Sequence, residues 1–378
     1  MEMGGRSGMT RREGTRAAAS LPEDVIGEIL ARVPYGTLCR AKCVSRQWLA
    51  LCSDPGFLRR CRRTLAGFFF PVTPLFPNGR SIRRFVNASG RGPPMLDPSL
   101  PFLPSGDRGA GASIVDSCNG LLLCVRRSES SQPTRYFVCN PAAKKWIDLP
   151  DTEATRDGTT VRLGFDPAMS SHFRVFVLVE VKNSVAGMEI YASETGGWTY
   201  RQSEWGDGTS TRRDSAFFNG ALHLLTTLGS SSVVTVDMDG KTWRTIPTPR
   251  DFDFIGQSQG QLYAVHIDDA VPDANQLSIW VLEDFGEQQW ILKHTVSTRE
   301  LFLFGIRPRS FGTSYSFMVH AIHPERCLIF LTAGRLRSLM SYDMDNKKVR
   351  FIWTLGESSK GSVYPYIPFA SDWLQDGQ

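Results

Sequence analysis

The sequence predicts a small all-α unit of short helices followed by a large all-β propeller, with six blades the favoured count. Three observations predict it. Residues 19–63 space their apolar side chains for helices, between proline and Ser/Asp punctuation. From residue 64 onward the pattern changes to short alternating runs, and no segment of a dozen residues keeps a helical period. Within that stretch an apolar strand, a polar turn and a tryptophan recur at Trp146, Trp198, Trp243 and Trp290. A repeat of roughly 40–50 residues with several strands each marks propeller blades.

Residues 1–18 mix Gly, Arg, Ser and Thr without period and are expected to be a disordered basic leader. Ser20-Leu21-Pro22-Glu23 is a capping-box pattern, the serine hydroxyl accepting from the amide of Glu23. Pro22 suits a first helical turn, where its missing N–H has no partner to lose. Val25, Ile26, Ile29, Leu30 and Val33 then form one apolar stripe, and Pro34 ends the helix. Thr37 is placed to cap a second short helix carrying Leu38 and Ala41. Val44, Trp48, Leu49 and Leu51 mark a third, and Asp54-Pro55 opens a fourth through Phe57 and Leu58. Roughly 45 residues of short helices are marginal alone. They fit equally a cap on the larger domain and a docking module completed by another protein.

The run Leu21-Pro22-Glu23-Asp24-Val25-Ile26-Gly27-Glu28-Ile29-Leu30-Ala31-Arg32-Val33-Pro34 resembles the start of an F-box. Leu38, Arg40, Cys43-Val44-Ser45-Arg46-Gln47-Trp48, Leu51 and Asp54-Pro55 continue the resemblance in order and spacing to about residue 60. Gly27 and Tyr35-Gly36 depart from the usual pattern but remove no apolar anchor. The resemblance implies a Skp-type adaptor as partner, and through it a cullin. It assigns adaptor binding to Leu21, Pro22, Ile29, Leu30, Val33, Pro34 and Leu38, with Val44 and Trp48 supporting or joining them. Some of these must instead hold the helices together, and periodicity does not sort the two sets.

In residues 64–378 the hairpin template is carried by Tyr136-Phe137-Val138-Cys139-Asn140, Met188-Glu189-Ile190-Tyr191, Val233-Val234-Thr235-Val236-Asp237 and Leu277-Ser278-Ile279-Trp280-Val281. Met340-Ser341-Tyr342-Asp343 is a degraded fifth copy, with Val349 where the tryptophan would stand. Before the hairpins, Asn119-Gly120, Asn219-Gly220 and Gln259-Gly260 each lead into an apolar strand, expected to line a central channel. Arg174-Val175-Phe176 and Leu328-Ile329-Phe330 fill the same slot without the glycine. That gives five slots. Gly67-Phe68-Phe69-Phe70 and Val363-Tyr364-Pro365-Tyr366-Ile367 are left over, and their pairing would close a sixth blade and leave no open sheet edge. Five and seven blades remain alternatives. This half resembles the kelch-like F-box-associated propellers of plants.

Two irregular segments, 71–112 and 297–316, are expected to be long loops. Both combine arginines with phenylalanines, a composition enriched at interfaces. Arg80, Arg83, Arg307 and Arg309 are therefore candidate contacts to an acidic or phosphorylated substrate segment.

The net charge of +5 resides in the N-terminal sixth, which carries 12 Lys/Arg against 6 Asp/Glu. The large domain is close to neutral, which argues against nucleic-acid binding. No apolar run approaches the ~18 residues of a membrane helix, so no membrane partner is expected. The eight cysteines include no C-x-x-C pair, so a zinc ribbon is not expected, and a reducing cytoplasmic or nuclear setting fits. Gly256-Gln257-Ser258-Gln259-Gly260 matches a nucleophile-elbow pattern, but a strand follows where the elbow needs a helix. Asp237-Met238-Asp239-Gly240 and Asp343-Met344-Asp345-Asn346 sit at equivalent hairpin turns, where Asp and Gly serve the backbone rather than a metal. Neither catalytic residue nor cofactor is assigned. The resemblance implies the substrate-recognition subunit of an SCF-type (Skp–cullin–F-box) ubiquitin ligase, its propeller holding an unknown protein substrate. The alternatives are a propeller hydrolase with an accessory helical cap, and an F-box adaptor acting outside the ligase.

Overall fold

The computed structural model describes residues 21–369, apart from 34, 62, 74–80, 109–110, 127–133, 153, 155–158, 183, 206–210, 227–230, 269–275, 298–299, 302–316 and 360. Four short helices come first: α1 (Glu23–Ala31), α2 (Tyr35–Ala41), α3 (Arg46–Leu51) and α4 (Pro55–Arg60). Helix α1 begins at Glu23 with Pro22 as its N-cap and no side-chain cap bond, and Ser20 lies outside the described residues. The second helix starts at Tyr35, before the expected Thr37. The third begins at Arg46, after the expected Val44, with Ser45 as its cap, and the fourth starts at Asp54-Pro55 as expected. The Ser45 hydroxyl accepts from the Trp48 amide at 3.1 Å, and the Asp54 carboxylate accepts from the Phe57 amide at 2.7 Å. Leu30, Ala31, Leu38, Ala41, Cys52 and Phe57 make the small core of this unit.

The remainder is a six-bladed propeller. Five blades are four-stranded antiparallel sheets in consecutive order, and the sixth has three strands. In the first blade the strands are β1 (Ala112–Cys118), β2 (Leu121–Arg126), β3 (Arg135–Asn140) and β4 (Lys145–Asp148). The closing blade takes its innermost strand, Tyr364–Tyr366, from the C-terminal part of the chain and pairs it with Gly67–Val72, as Gly67↔Tyr366 and Phe69↔Tyr364. Ile82–Asn87 completes that blade. Ring closure therefore joins the two leftover strands, as expected.

The strands after the Asn-Gly turns are not the channel lining. β2 and its equivalents are the second strands, buried on both faces between neighbouring blades: Leu121, Leu122, Leu123 and Cys124 are all inaccessible. The channel is lined by the strand before each turn, which carries polar residues such as Asp116, Arg162, Asp214, Gln257 and His320. An unbroken apolar run suits a strand sandwiched between sheets. A strand facing a water-filled channel keeps polar groups on one side.

Each repeat tryptophan stands at or next to the start of the outer strand and pairs with an apolar residue near the end of the third: Trp146 with Cys139, Trp198 with Tyr191, Trp243 with Val236 and Trp290 with Leu282. Val349 takes the same place opposite Tyr342. The tryptophans pack on the inter-blade cores, half-buried. At the third-to-fourth turns, Asn140, Asp237, Asp284 and Asp343 each accept two backbone amides from the residues that follow. This is the role expected of Asp237 and Asp343.

Segment 71–112 is less of a loop than its composition suggests. It contains the strand Ile82–Asn87, a 3-10 turn at Ser105–Asp107, and the buried Leu100 and Leu103, which join a core with Phe69, Phe85, Leu122 and Phe137. That segment packs between the closing blade and the first.

Candidate functional site

Two surfaces merit a site: the outward side of the helical unit and the propeller end away from it. The helical unit rests on one end of the propeller. The small space between them, about 40 Å³, is lined by Val33, Tyr35, Leu38 and Leu58 from the helices and by Pro167, Ile367 and Phe369 from the propeller. Burial raises the Tyr35 phenol's pKa well above its ordinary value, and the Cys39 thiol beside it adds to the shift. Arg63 reaches Asp166 at 3.2 Å across the junction. The Arg60 guanidinium and Glu28 carboxylate tie the first and fourth helices together.

Strand direction then assigns every connection to an end. Each innermost strand runs toward the helical unit. β1 ends at Cys118, and the following Gly120 approaches Ile367 and Phe369 beside the helices. The short first-to-second and third-to-fourth turns lie at this near end. The second strands end and the third strands begin at the far end, as do the ends of the fourth strands and the starts of the innermost ones, while residues 88–111 lead from the near end of the closing blade to the far-end start of the first. Val72, Ile82, Ser297 and Phe317, the strand ends that flank 73–81 and 298–316, stand at the far end.

The structure sorts the adaptor set that the sequence left mixed. Leu30 and Leu38 are core, at 5% and 2% exposure. Val33 and Trp48 are half-buried against that core. Leu21, Pro22, Ile29 and Val44 are exposed, the three large apolar ones at 56%, 49% and 64%. Pro34 lies outside the described residues. Two exposed residues were missed, Val25 and Leu49. Val25 sits one turn before Ile29 on α1, with Leu21 just ahead of the helix, and that i, i+4 spacing was the available signal. Gln47 of α3 donates to Glu23 of α1 at 2.9 Å, which places the third helix beside the start of α1.

The substrate set divides differently. Arg80, Arg307 and Arg309 lie outside the described residues. Arg83 is not available to a partner: it is buried, and its guanidinium donates to the carbonyls of Pro98, Ser99, Asp107 and Ala112 at 2.6–3.3 Å. It latches the 88–111 segment onto the closing blade. A guanidinium carries five donors in a rigid fork, which suits several carbonyls offered by an irregular backbone.

No group of three or more His, Cys, Asp or Glu side chains is placed to hold a metal among the described residues. The elbow pattern is a turn. The Ser258 hydroxyl is buried and donates to the His323 carbonyl at 2.7 Å, and the strand Gln261–Asp268 follows. The imidazoles of His223, His320 and His323 have pKa values lowered by burial to about 4, 3 and 4, so all three are neutral near pH 7.

The F-box domain profile matches residues 19–60, and the F-box associated beta propeller domain profile matches residues 104–360. The chain belongs to the F-box proteins with an F-box-associated β-propeller. Among its relatives, F-box protein At5g07610 of Arabidopsis thaliana is 28% identical over 336 residues, covering 78% of this chain and 76% of that one. F-box protein At5g49610 of the same plant is 26% identical, covering 92% and 98%. Of solved structures, TolB from Acinetobacter baumannii shares 13% identity at a TM-score of 0.47, covering 80% of this chain and 67% of that chain.

Proposed function

We propose that the chain is the substrate-recognition subunit of an SCF-type ubiquitin ligase. Its F-box binds a Skp-type adaptor and through it a cullin, and its propeller holds a protein substrate. The observation that carries this reading is the apolar set Leu21, Val25 and Ile29. It stays exposed on a helical unit whose own core is filled without it. Exposed apolar sets of this kind are completed by a partner. The helices also pack closely on the near end, so the adaptor and the far-end loops lie on opposite sides of the molecule. A substrate held at the far end would be presented away from the adaptor, with its effective concentration near the conjugating enzyme raised and no chemistry done by this chain. Eight free cysteines suit the cytoplasmic and/or nuclear setting that goes with this role.

The test is capture of a recombinant Skp-type adaptor by the full chain and by a Leu21→Asp, Ile29→Asp double variant. The wild type is expected to form a stoichiometric complex and the variant none, with the propeller's β-type circular dichroism retained in both. Equal capture by both overturns the assignment.

A further inference from the structure

The propeller encloses a channel of about 740 Å³, a volume typical of ligand sites. Among the described residues four charged side chains line it: Asp116, Arg162, Asp214 and Arg337. Asp116 accepts the amides of Ser117 and Leu163 at 2.8 Å each, and the charge of Arg162 acts on it. Those two groups offset one another. Asp214 lies on the third blade, across the ring from the closing blade.

Arg337 is different. It stands in the turn between the second and third strands of the fifth blade, at the far mouth. Its Nη1 donates to the carbonyls of Ser359 and Gly361, the latter at 2.9 Å. Its Nη2 is shut from bulk water and has no hydrogen-bond partner. No carboxylate acts on the group, and burial alone lowers its pKa. Four other buried or half-buried arginines are compensated: Arg174 by Glu194 and Asp239, Arg126 by Asp107 and Asp148, Arg63 by Asp166, and Arg83 by four carbonyls. A guanidinium receives a carboxylate or phosphate side-on through Nε and Nη2; Nη2 is without a partner here, and a turn of this channel-lining side chain brings it to the channel. An uncompensated cation with a sealed donor is costly, and an anion arriving from the channel relieves both costs.

The surroundings suit that arrival. His320 lies close enough for the Arg337 charge to lower its pKa, and its Nε2 is engaged with the Thr332 hydroxyl at 2.9 Å. Met318, two residues earlier on that strand, also lines the channel and is half exposed. The wall beside the cation is therefore neutral and partly apolar.

We propose that the far mouth of the channel is an anion-binding site in which Arg337 pairs with a carboxylate or phosphate group of the ligand. The site goes beyond the ligase reading and does not depend on it, because it requires nothing of the F-box. The group could be a free anion or one borne on a peptide. The test is calorimetry on the full chain at low ionic strength, with inorganic phosphate in one arm. The second arm uses a blocked five-residue peptide carrying phosphoserine, glutamate or alanine at its centre. Binding in at least one arm is expected, with about tenfold or greater loss in Arg337→Gln, partial retention in Arg337→Lys, and none lost in Arg335→Gln. Arg335 is the control because it is exposed in the same turn and pairs with Glu357 at 2.9 Å. The arm that binds identifies the source of the anion. No binding in either arm overturns the proposal, as does equal loss in the Arg335 and Arg337 variants. Should Arg337→Gln fail to melt cooperatively, the ring signals of His320 decide the matter in the wild type. They must move as ligand is added, and signals that stay fixed at saturation overturn the site.

Discussion

Ile29 and Leu30 are neighbours in α1 with opposite duties, and the contrast between them can be put in numbers. Leu30 is in the core of the helical unit, so Leu30→Ala should destabilise the chain by about 2–5 kcal/mol, the range for emptying a packed site. Leu21, Ile29 and Val44 keep 56%, 49% and 64% of their surface exposed. Full burial of such a side chain contributes roughly 1.5–3 kcal/mol, and about half remains to be gained when a partner covers it. Each then supplies about 1 kcal/mol on adaptor binding, and the three together about 3–4 kcal/mol. That corresponds to a loss of about a hundredfold to a thousandfold in affinity for the triple alanine variant. The assay is paired: thermal melting of the free chain, and titration calorimetry against a recombinant Skp-type adaptor. The triple variant should melt with the wild type and bind weakly, and Leu30→Ala should melt early. A triple variant with undiminished affinity refutes the assignment of Leu21, Ile29 and Val44 to the adaptor. One that melts like Leu30→Ala refutes the division between core and contact surface.

Other outcomes are expected from the same geometry. Gly27→Ala should raise stability by about 0.5–1 kcal/mol, since a Cβ there meets nothing within 4 Å in the interior of α1; a lower denaturation midpoint contradicts this. Gly120→Ala should cost more than Gly260→Ala. Both have positive φ, but a Cβ at 120 falls 2.5 Å from Phe369 and 2.7 Å from the Ile367 carbonyl, while the space at 260 is open. Equal midpoints would remove the near-end packing argument. Tyr366→Ala, in the buried closing strand, should cost about 3–5 kcal/mol and broaden the melt as ring closure weakens; an unchanged melt would show that the ring does not depend on that strand. Finally, acid should destabilise the propeller. His223, His320 and His323 are held neutral with pKa values near 4, 3 and 4 against an ordinary 6.5. Their contribution is full above pH ~6.5 and is lost as the pH falls toward about 4, because the unfolded chain takes up the protons. Urea midpoints should drop over that window, and less steeply in His320→Gln; identical slopes argue that His320 does not contribute.

The sequence by itself determined the helical unit, the blade template and the closure of the ring. Those signals are local: a stripe at Val25, Ile26, Ile29 and Leu30 depends only on helical geometry, and the recurrence of Trp146, Trp198, Trp243 and Trp290 only on spacing. The leftover strands around Phe69 and Tyr366 pointed to one another because an open sheet edge is costly. Tertiary structure decided what periodicity cannot express. A stripe shows that a face is apolar, not which neighbour covers it, so Leu30 and Ile29 separated only when α4 and the rest of the helical core were in place. The same limit misplaced the strands after the Asn-Gly turns. Apolar runs buried between blades and runs lining a channel differ in what faces them, and that is set by the ring as a whole. Charge was the least legible of all. Arg83 and Arg337 are both arginines in or near irregular segments, and nothing in their neighbours along the chain distinguishes them. Backbone carbonyls distant in sequence hold the first, while the channel wall leaves Nη2 of the second without a partner.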